Sequence, residues 1–202
     1  MAVGANRTYA YLGQNEFSFA NWAKAVRKGN TFMTSGPLLT FQADGHVPGE
    51  GITLGAGGGT VEVQASAQCF VPLHRIEVVM NGGIVATQEE PNGARELKLR
   101  EKVQVPGPGW IAARCLSILG PTTDWGFKVL AHTSPLYLDV PGQEVFSAPA
   151  AAFLMTLIEG SETWVNNLAT PSDPERMERI RQTYREARQR LHRKMHEHGV
   201  PH

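Results

Sequence analysis

The stretch HRIEVVMNGGIVAT, residues 74–87, decides the fold class. Two runs rich in β-branched residues flank Asn81-Gly82-Gly83, and Asn-Gly supplies the positive φ angles of a tight hairpin turn. Working outward, TVEVQASA (60–67) alternates strictly. Val61, Val63, Ala65 and Ala67 share one face and Glu62, Gln64 and Ser66 the other, the pattern of a half-buried strand. ARELKLREKVQV, GWIAARCLSI and PLYLDV add further strands. The spacers are turn-rich: Asp44-Gly45, Gly55 to Gly59, Pro91-Asn92-Gly93 and Pro106 to Gly109. Short strands with turn signals roughly every 8–12 residues predict an antiparallel β-sandwich over residues 38–142. Its core should include Val63, Ala65, Ile76, Val78, Leu97, Ile111 and Leu136. No helix-length segment separates the strands, which argues against a parallel sheet.

Helical periodicity flanks this region. In SFANWAKAVRKG (18–29), Phe19, Trp22, Ala23 and Val26 fall on one helical face. Ser18 suits the N-cap and Gly29 the left-handed C-terminal position. This short helix belongs to an N-terminal segment, residues 1–37. Residues 143–202 predict two helices forming a hairpin packed on the sandwich. The first carries a stripe at Phe153, Leu157, Trp164 and Leu168, expected to be buried. The second opens with a capping box, Ser172 to Glu175, and carries Met177, Ile180, Tyr184, Ala187, Leu191 and Met195 at steps of three and four. The fold class is therefore mainly β with flanking helices.

Composition narrows the function classes. The chain has 202 residues, 42% apolar and 19% charged, which suits a globular domain. Lys plus Arg and Asp plus Glu stand at 19 each, so no net charge draws it to nucleic acid or an anionic membrane. No apolar run approaches the roughly 18 residues of a membrane-spanning helix. The two cysteines, Cys69 and Cys115, lie in apolar runs and read as buried free thiols, with a bridge open to them if both face one core.

Candidate catalytic sets are thin. His192 and His196 have a spacing that can hold zinc on a helix, but no third ligand accompanies them. Ser117, His132 and either Asp124 or Asp139 offer the residue types of a triad without a nucleophile elbow. GAGGGT (55–60) lacks the Lys-Ser/Thr ending of a phosphate loop. The last helix is basic, with eight Lys/Arg against five Asp/Glu between Ser172 and His198. A solvated, ion-paired face accounts for that excess.

Five ordered blocks carry a resemblance: NRTYAYLG, WAKAVRKGNTFMTSGPLLTFQADGHVPG, RIEVVMNGGIV, GWIAARC and AHTSPLYL. They resemble the C-terminal portion of CehA/McbA-type metallohydrolases, whose N-terminal PHP (polymerase and histidinol phosphatase) domain is a metal-dependent hydrolase. TFMTSGPLLTFQADGHVPG is similar to that family's TFVTNGPLL…DG..PG pattern, with Ser35 where Asn is common. The resemblance implies that the catalytic PHP domain, with its His-x-His pair and divalent metal, is absent from this chain, and that the chain is a fragment or a truncated gene product. It implies a non-catalytic accessory domain with no catalytic or metal-binding residue and no cofactor of its own, partnered by a PHP domain. Thr34, Ser35, Gly36 and Pro37 would form a bend into the first sandwich strand or line the substrate cleft together with His132 and Thr133. TYAYLGQNEFSF (8–19) places Tyr9, Tyr11, Leu12, Phe17 and Phe19 within eleven positions, an apolar cluster expected to pack on the missing domain or to pair two copies as a homodimer.

Two other classes stay open. One is a stand-alone binding module for carbohydrate, peptide or protein, using Trp110 or Trp125; an aromatic pair on one exposed face would favour it. The other, weaker, is nucleic-acid binding through the basic last helix.

Overall fold

The computed structural model describes residues 4–117, 128–170 and 173–200. It contains two compact units, residues 1–144 and 145–202.

Unit one is a β-sandwich. In chain order its elements are β1 (Arg7–Ala10), α1 (Phe19–Lys28), β2 (Thr31–Thr34), β3 (Leu38–Ala43), β4 (Gly51–Thr53), β5 (Gly59–Met80), β6 (Gly83–Val105), β7 (Gly109–Leu116), β8 (Leu130–Thr133) and β9 (Leu136–Asp139). The ladder runs β1-β2-β8-β7-β5-β3, with β6 on β5 and β9 on β7. All pairs are antiparallel except β4 with β9. The hairpin turn is as the sequence predicts: Asn81 has φ +49° and Gly82 φ +90°.

β5 and β6 exceed the expectation. The spacer Pro91-Asn92-Gly93 is no turn between strands. It is an irregularity within β6, where the register jumps from Arg75↔Glu89 to Leu73↔Ala94 and then to Gln68↔Glu96. Bulges of this kind let a strand bend without ending. The near half of β5 pairs with β7 and the far half with β3, so one pair of bent strands serves both layers. β3 packs face to face against β7 and β8, which are not its ladder neighbours.

The inward face of each strand fills one core. Val63, Ala65, Ile76, Val78, Leu97, Ile111 and Leu136 are all buried there, as the alternation predicts. Leu39, Leu73, Leu99, Ala113, Cys115 and Leu138 join them.

Residues before Leu38 are part of the same sheet. β1 pairs with β2 (Tyr9↔Phe32), and β2 pairs with β8 (Met33↔His132). The expected separation of residues 1–37 from the sandwich is corrected by these ladders. α1 has the expected caps: the Ser18 hydroxyl accepts from Asn21 N–H at 3.2 Å, and Gly29 has φ +77°. Its apolar stripe is left uncovered. Phe19 and Trp22 are exposed, and the helix buries Ala25 instead. Amphipathicity shows that a helix has an apolar face; only tertiary contacts decide whether that face is covered.

Unit two is a helical hairpin of α2 (Ala148–Asn167) and α3 (Pro174–Glu197). Ala151, Met155 and Met195 form its core, with Leu191, Phe146 and Val200 against them. Further along, Arg188 Nη1 lies 3.8 Å from Glu162 and Arg181 Nε donates to Asn166 at 2.9 Å, so the helices run antiparallel. Of the α3 stripe, Leu191 and Met195 pack with α2, and Met177, Ile180, Tyr184 and Ala187 are half-buried. The α2 stripe is not buried as expected: Phe153, Leu157, Trp164 and Leu168 are exposed. α2 is apolar on more than one face, so periodicity through Phe153 does not single out the face that α3 takes. Ser172 lies outside the described residues; the α3 N-cap is Asp173, whose carboxylate accepts from Arg176 N–H at 2.9 Å. Among the described residues, no helix is long and apolar enough to cross a membrane.

Candidate binding cleft and aromatic surfaces

The bend Thr34-Ser35-Gly36-Pro37 is held by its own hydroxyls. Thr34 Oγ1 donates to Pro37 O at 2.6 Å and accepts from Gly36 N–H at 2.9 Å. Ser35 extends the β2–β8 ladder past its end. Its N–H donates to Leu130 O at 2.9 Å, and its hydroxyl donates to Lys128 O at 2.7 Å and accepts from Leu130 N–H at 3.0 Å. Thr34 and Ser35 are 2% and 6% exposed, so both hydroxyls serve the backbone. A short polar side chain that closes such local bonds replaces the ladder where a strand must turn.

Beside this bend, along β3, lies a cleft of about 860 Å³. One wall carries Tyr9 stacked on Phe32, centroids 5.1 Å apart and planes within 8°. Tyr11, Val47 and Pro48 extend that wall. The other side is the outward, polar face of β3 and β5, where Gln42 donates to Gln64 at 2.9 Å. Lys98 and Arg100 reach the cleft from β6 with their charges engaged: Lys98 Nζ lies 2.8 Å from Glu96, and Arg100 Nη2 lies 2.8 Å from Glu62. Hydrogen bonding from Arg100 holds the Glu62 carboxyl below its usual range, and Lys98 does the same for Glu96.

The predicted site residues divide among several surroundings. Thr133 lines the cleft, and its hydroxyl accepts from Ala113 N–H at 3.1 Å. His132 is on the opposite, outer face of β8, its Nδ1 3.3 Å from Thr133 O. Gly36 borders a separate, smaller hollow with Cys69 and Phe70. Tyr9 and Tyr11 line the cleft; Phe17 and Phe19 are 84% and 81% exposed, and Leu12 is half-buried. Ser117 meets His74 (3.2 Å) rather than His132, and Asp124 lies outside the described residues. His192 and His196 touch edge to face, with ring centroids 4.6 Å apart. Among the described residues, no three of His, Cys, Asp and Glu form a group that could hold a metal ion. Cys69 and Cys115 are both free; burial pushes the Cys115 thiol up to about 12.

Two arrangements were not read from the sequence. Glu77 is 1% exposed on the outer face of β5, where Arg75 Nη1 donates to it at 3.1 Å and Arg114 Nε bonds its other oxygen. Period two places residues 75 and 77 together, but the register Glu77↔Arg114 depends on pairing with β7. The second is an aromatic pair. Trp110 on β7 sits directly opposite Tyr137 on β9, and they are 36% and 55% exposed. Trp125 lies outside the described residues.

No family model matches the sequence, and no curated protein matches it. Among solved structures, fibronectin(III)-like modules of Clostridium thermocellum CbhA are similar at 14% identity and a TM-score of 0.34, over 52% of this chain and 100% of that one. The β-sandwich assignment stands on the ladders and the core described above.

Proposed function

We propose that this chain is a non-catalytic accessory module of a PHP-type, CehA/McbA-like metal-dependent hydrolase, and that it holds the catalytic domain through its aromatic N-terminal surface. The observation that carries the reading is the exposure of Tyr11, Phe17 and Phe19 at 62%, 84% and 81%. Apolar clusters of this density mark contact surfaces rather than free ones. The five sequence blocks supply the identity of the partner. Within that assembly the divalent metal belongs to the PHP domain, and this chain acts by docking. The test is titration calorimetry of the purified chain against an isolated PHP domain from a CehA/McbA-type hydrolase. Binding tighter than about 10 μM is expected, weakened at least tenfold by Phe17→Ser/Phe19→Ser. Absence of heat at about 100 μM sinks this reading.

A second reading, a β-sandwich binding module, is favoured by Trp110 opposite Tyr137. Two adjacent aromatic side chains on a sheet face present a platform on which sugar rings or apolar side chains stack. Tryptophan fluorescence titrated with a cello-oligosaccharide and with a neutral peptide separates the two ligand classes; no response to either, in wild type or Trp110→Ala, removes the reading.

A further inference from the structure

We infer that the cleft beside β3 receives an extended polypeptide segment from a partner, added to the sheet as a further antiparallel or parallel strand next to β3. The segment is neutral and alternates apolar with polar residues. The cleft adjoins the N-terminal aromatic patch and shares Tyr9 and Tyr11 with it; the inference rests on the backbone of β3 and does not depend on which domain that patch contacts.

Hydrogen-bond parity leaves one edge of β3 open. Its ladder partner is β5 alone, with Leu39↔Ala67, Phe41↔Ala65 and Ala43↔Val63 among the paired positions. Just past the strand, Asp44 N–H donates to Glu62 O at 2.9 Å. Hydrogen-bonded pairs alternate with non-bonded ones in an antiparallel ladder. Gln42, Thr40 and Leu38 therefore spend their N–H and C=O groups on β5. Pro37, Leu39, Phe41 and Ala43 direct theirs away from it. The two ends of that outward row are already closed. Pro37 O receives the Thr34 hydroxyl, and Ala43 exchanges both of its bonds with His46 (N to O 3.0 Å, O to N 2.9 Å).

Leu39 and Phe41 remain. Their side chains are 2% and 5% exposed and point into the core, yet both residues line the cleft. By that parity their backbones turn two N–H donors and two C=O acceptors to the free edge of β3, and none of these has a protein partner among the described residues. A row of donors and acceptors at this repeat is what another strand satisfies, and strand addition at a free edge is a recurrent mode of peptide recognition.

The rest of the cleft specifies the segment. Side chains on its inward face would meet Tyr9, Phe32, Val47 and Pro48, which calls for apolar residues. Side chains on its outward face would lie beside Thr40 and Gln42, which suits polar ones. The cations nearest the cleft are neutralised by Glu62 and Glu96, so no charged segment is selected. β3 itself lacks the lysine or the mid-strand proline with which edge strands usually repel a partner.

The test follows amide exchange by NMR in the whole chain. In the free protein, Leu39 and Phe41 amides should exchange faster than those of Thr40 and Gln42. Acetyl-Thr-Val-Thr-Val-Thr-amide at about 1 mM should slow the Leu39 and Phe41 amides at least tenfold and leave Thr40 unchanged. N-methylation of the peptide at one alternate set of residues should abolish the effect, and at the other set leave it intact. Tyr9→Ala should weaken peptide binding at least tenfold. The inference is overturned if the peptide leaves both amides unprotected, or if both methylated sets bind alike. It is equally overturned if protection appears without peptide and grows with protein concentration, since a second copy is then the occupant. A cello-oligosaccharide that displaces the peptide while both amides stay unprotected in the sugar complex would be evidence for the sugar and against the strand.

Discussion

Thr34 Oγ1 donates to Pro37 O at 2.6 Å while accepting from Gly36 N–H, so one buried hydroxyl carries the turn from β2 into β3. The bend is a joint between two parts of one sheet. Replacing the hydroxyl by a methyl leaves the half-buried Gly36 N–H and the buried Pro37 carbonyl unpaired. Thr34→Val is expected to lower stability by about 1–3 kcal/mol, and Thr34→Ser by much less. Urea unfolding monitored by tryptophan fluorescence measures both; equal stabilities for Val and wild type would contradict this account.

Gly49 has φ +86°, and a Cβ added there would stand 2.1 Å from Lys28 O. Backbone, not a flexible side chain, blocks the space. Gly49→Ala should destabilise by about 2 kcal/mol or more, whereas Gly57→Ala, with open space around it, should cost well under 1 kcal/mol. The difference in denaturation midpoint between the two variants is the observable.

Cys115 supplies a pH dependence. Its folded-state pKa of about 12 lies above the ordinary thiol value, because burial disfavours the thiolate. A raised acid pKa gives stability that is complete below the unfolded-state value and is lost as pH rises through the folded one. Between about pH 9 and 12 wild type should lose stability relative to Cys115→Val, which cannot ionise. At pH 8 native Cys115 should resist iodoacetamide until denaturant is added. Rapid labelling of that residue in the native protein would contradict the burial argument.

The aromatic cluster at the N-terminal end predicts self-association when no catalytic domain is present. Burying a large apolar side chain contributes roughly 1.5–3 kcal/mol, so two or three per subunit can offset the entropy cost of pairing. Sedimentation at tens of micromolar should show a dimer for wild type and a monomer for Tyr11→Ser/Phe17→Ser. A monomeric wild type would rule out this surface as a self-interface.

Local signals served well where the structure is local. Asn81-Gly82 set the hairpin, Ser18 and Gly29 bound α1, and the alternation at residues 61–67 selected the buried face. The reading failed where long-range contacts decide. The Pro91 to Gly93 spacer looks like a turn because turns and bulges use the same residues; its true role appears only from the register with Leu73. β1 and β2 have four residues each, too few to show a period, and reach the sheet through β8, a hundred residues on. Phe19 and Trp22 reveal an apolar face but not its covering. The cleft was invisible for a related reason: its most telling groups are the backbones of Leu39 and Phe41, and parity along an edge depends on pairing rather than on residue type.

The bent pair β5 and β6 also sets an order of assembly. Its turn at Asn81 closes with almost no chain between the strands, so the ladder can zip outward from Val79↔Ile84 at low entropic cost. The half nearest the turn carries β7, and the half beyond the Leu73 irregularity carries β3. During refolding, amide protection should therefore reach residues 76–79 before 61–67. The layer that contains β3 is then the last to consolidate, and the core, to which β3 contributes Leu39, Phe41 and Ala43, closes only as that open edge takes its final shape.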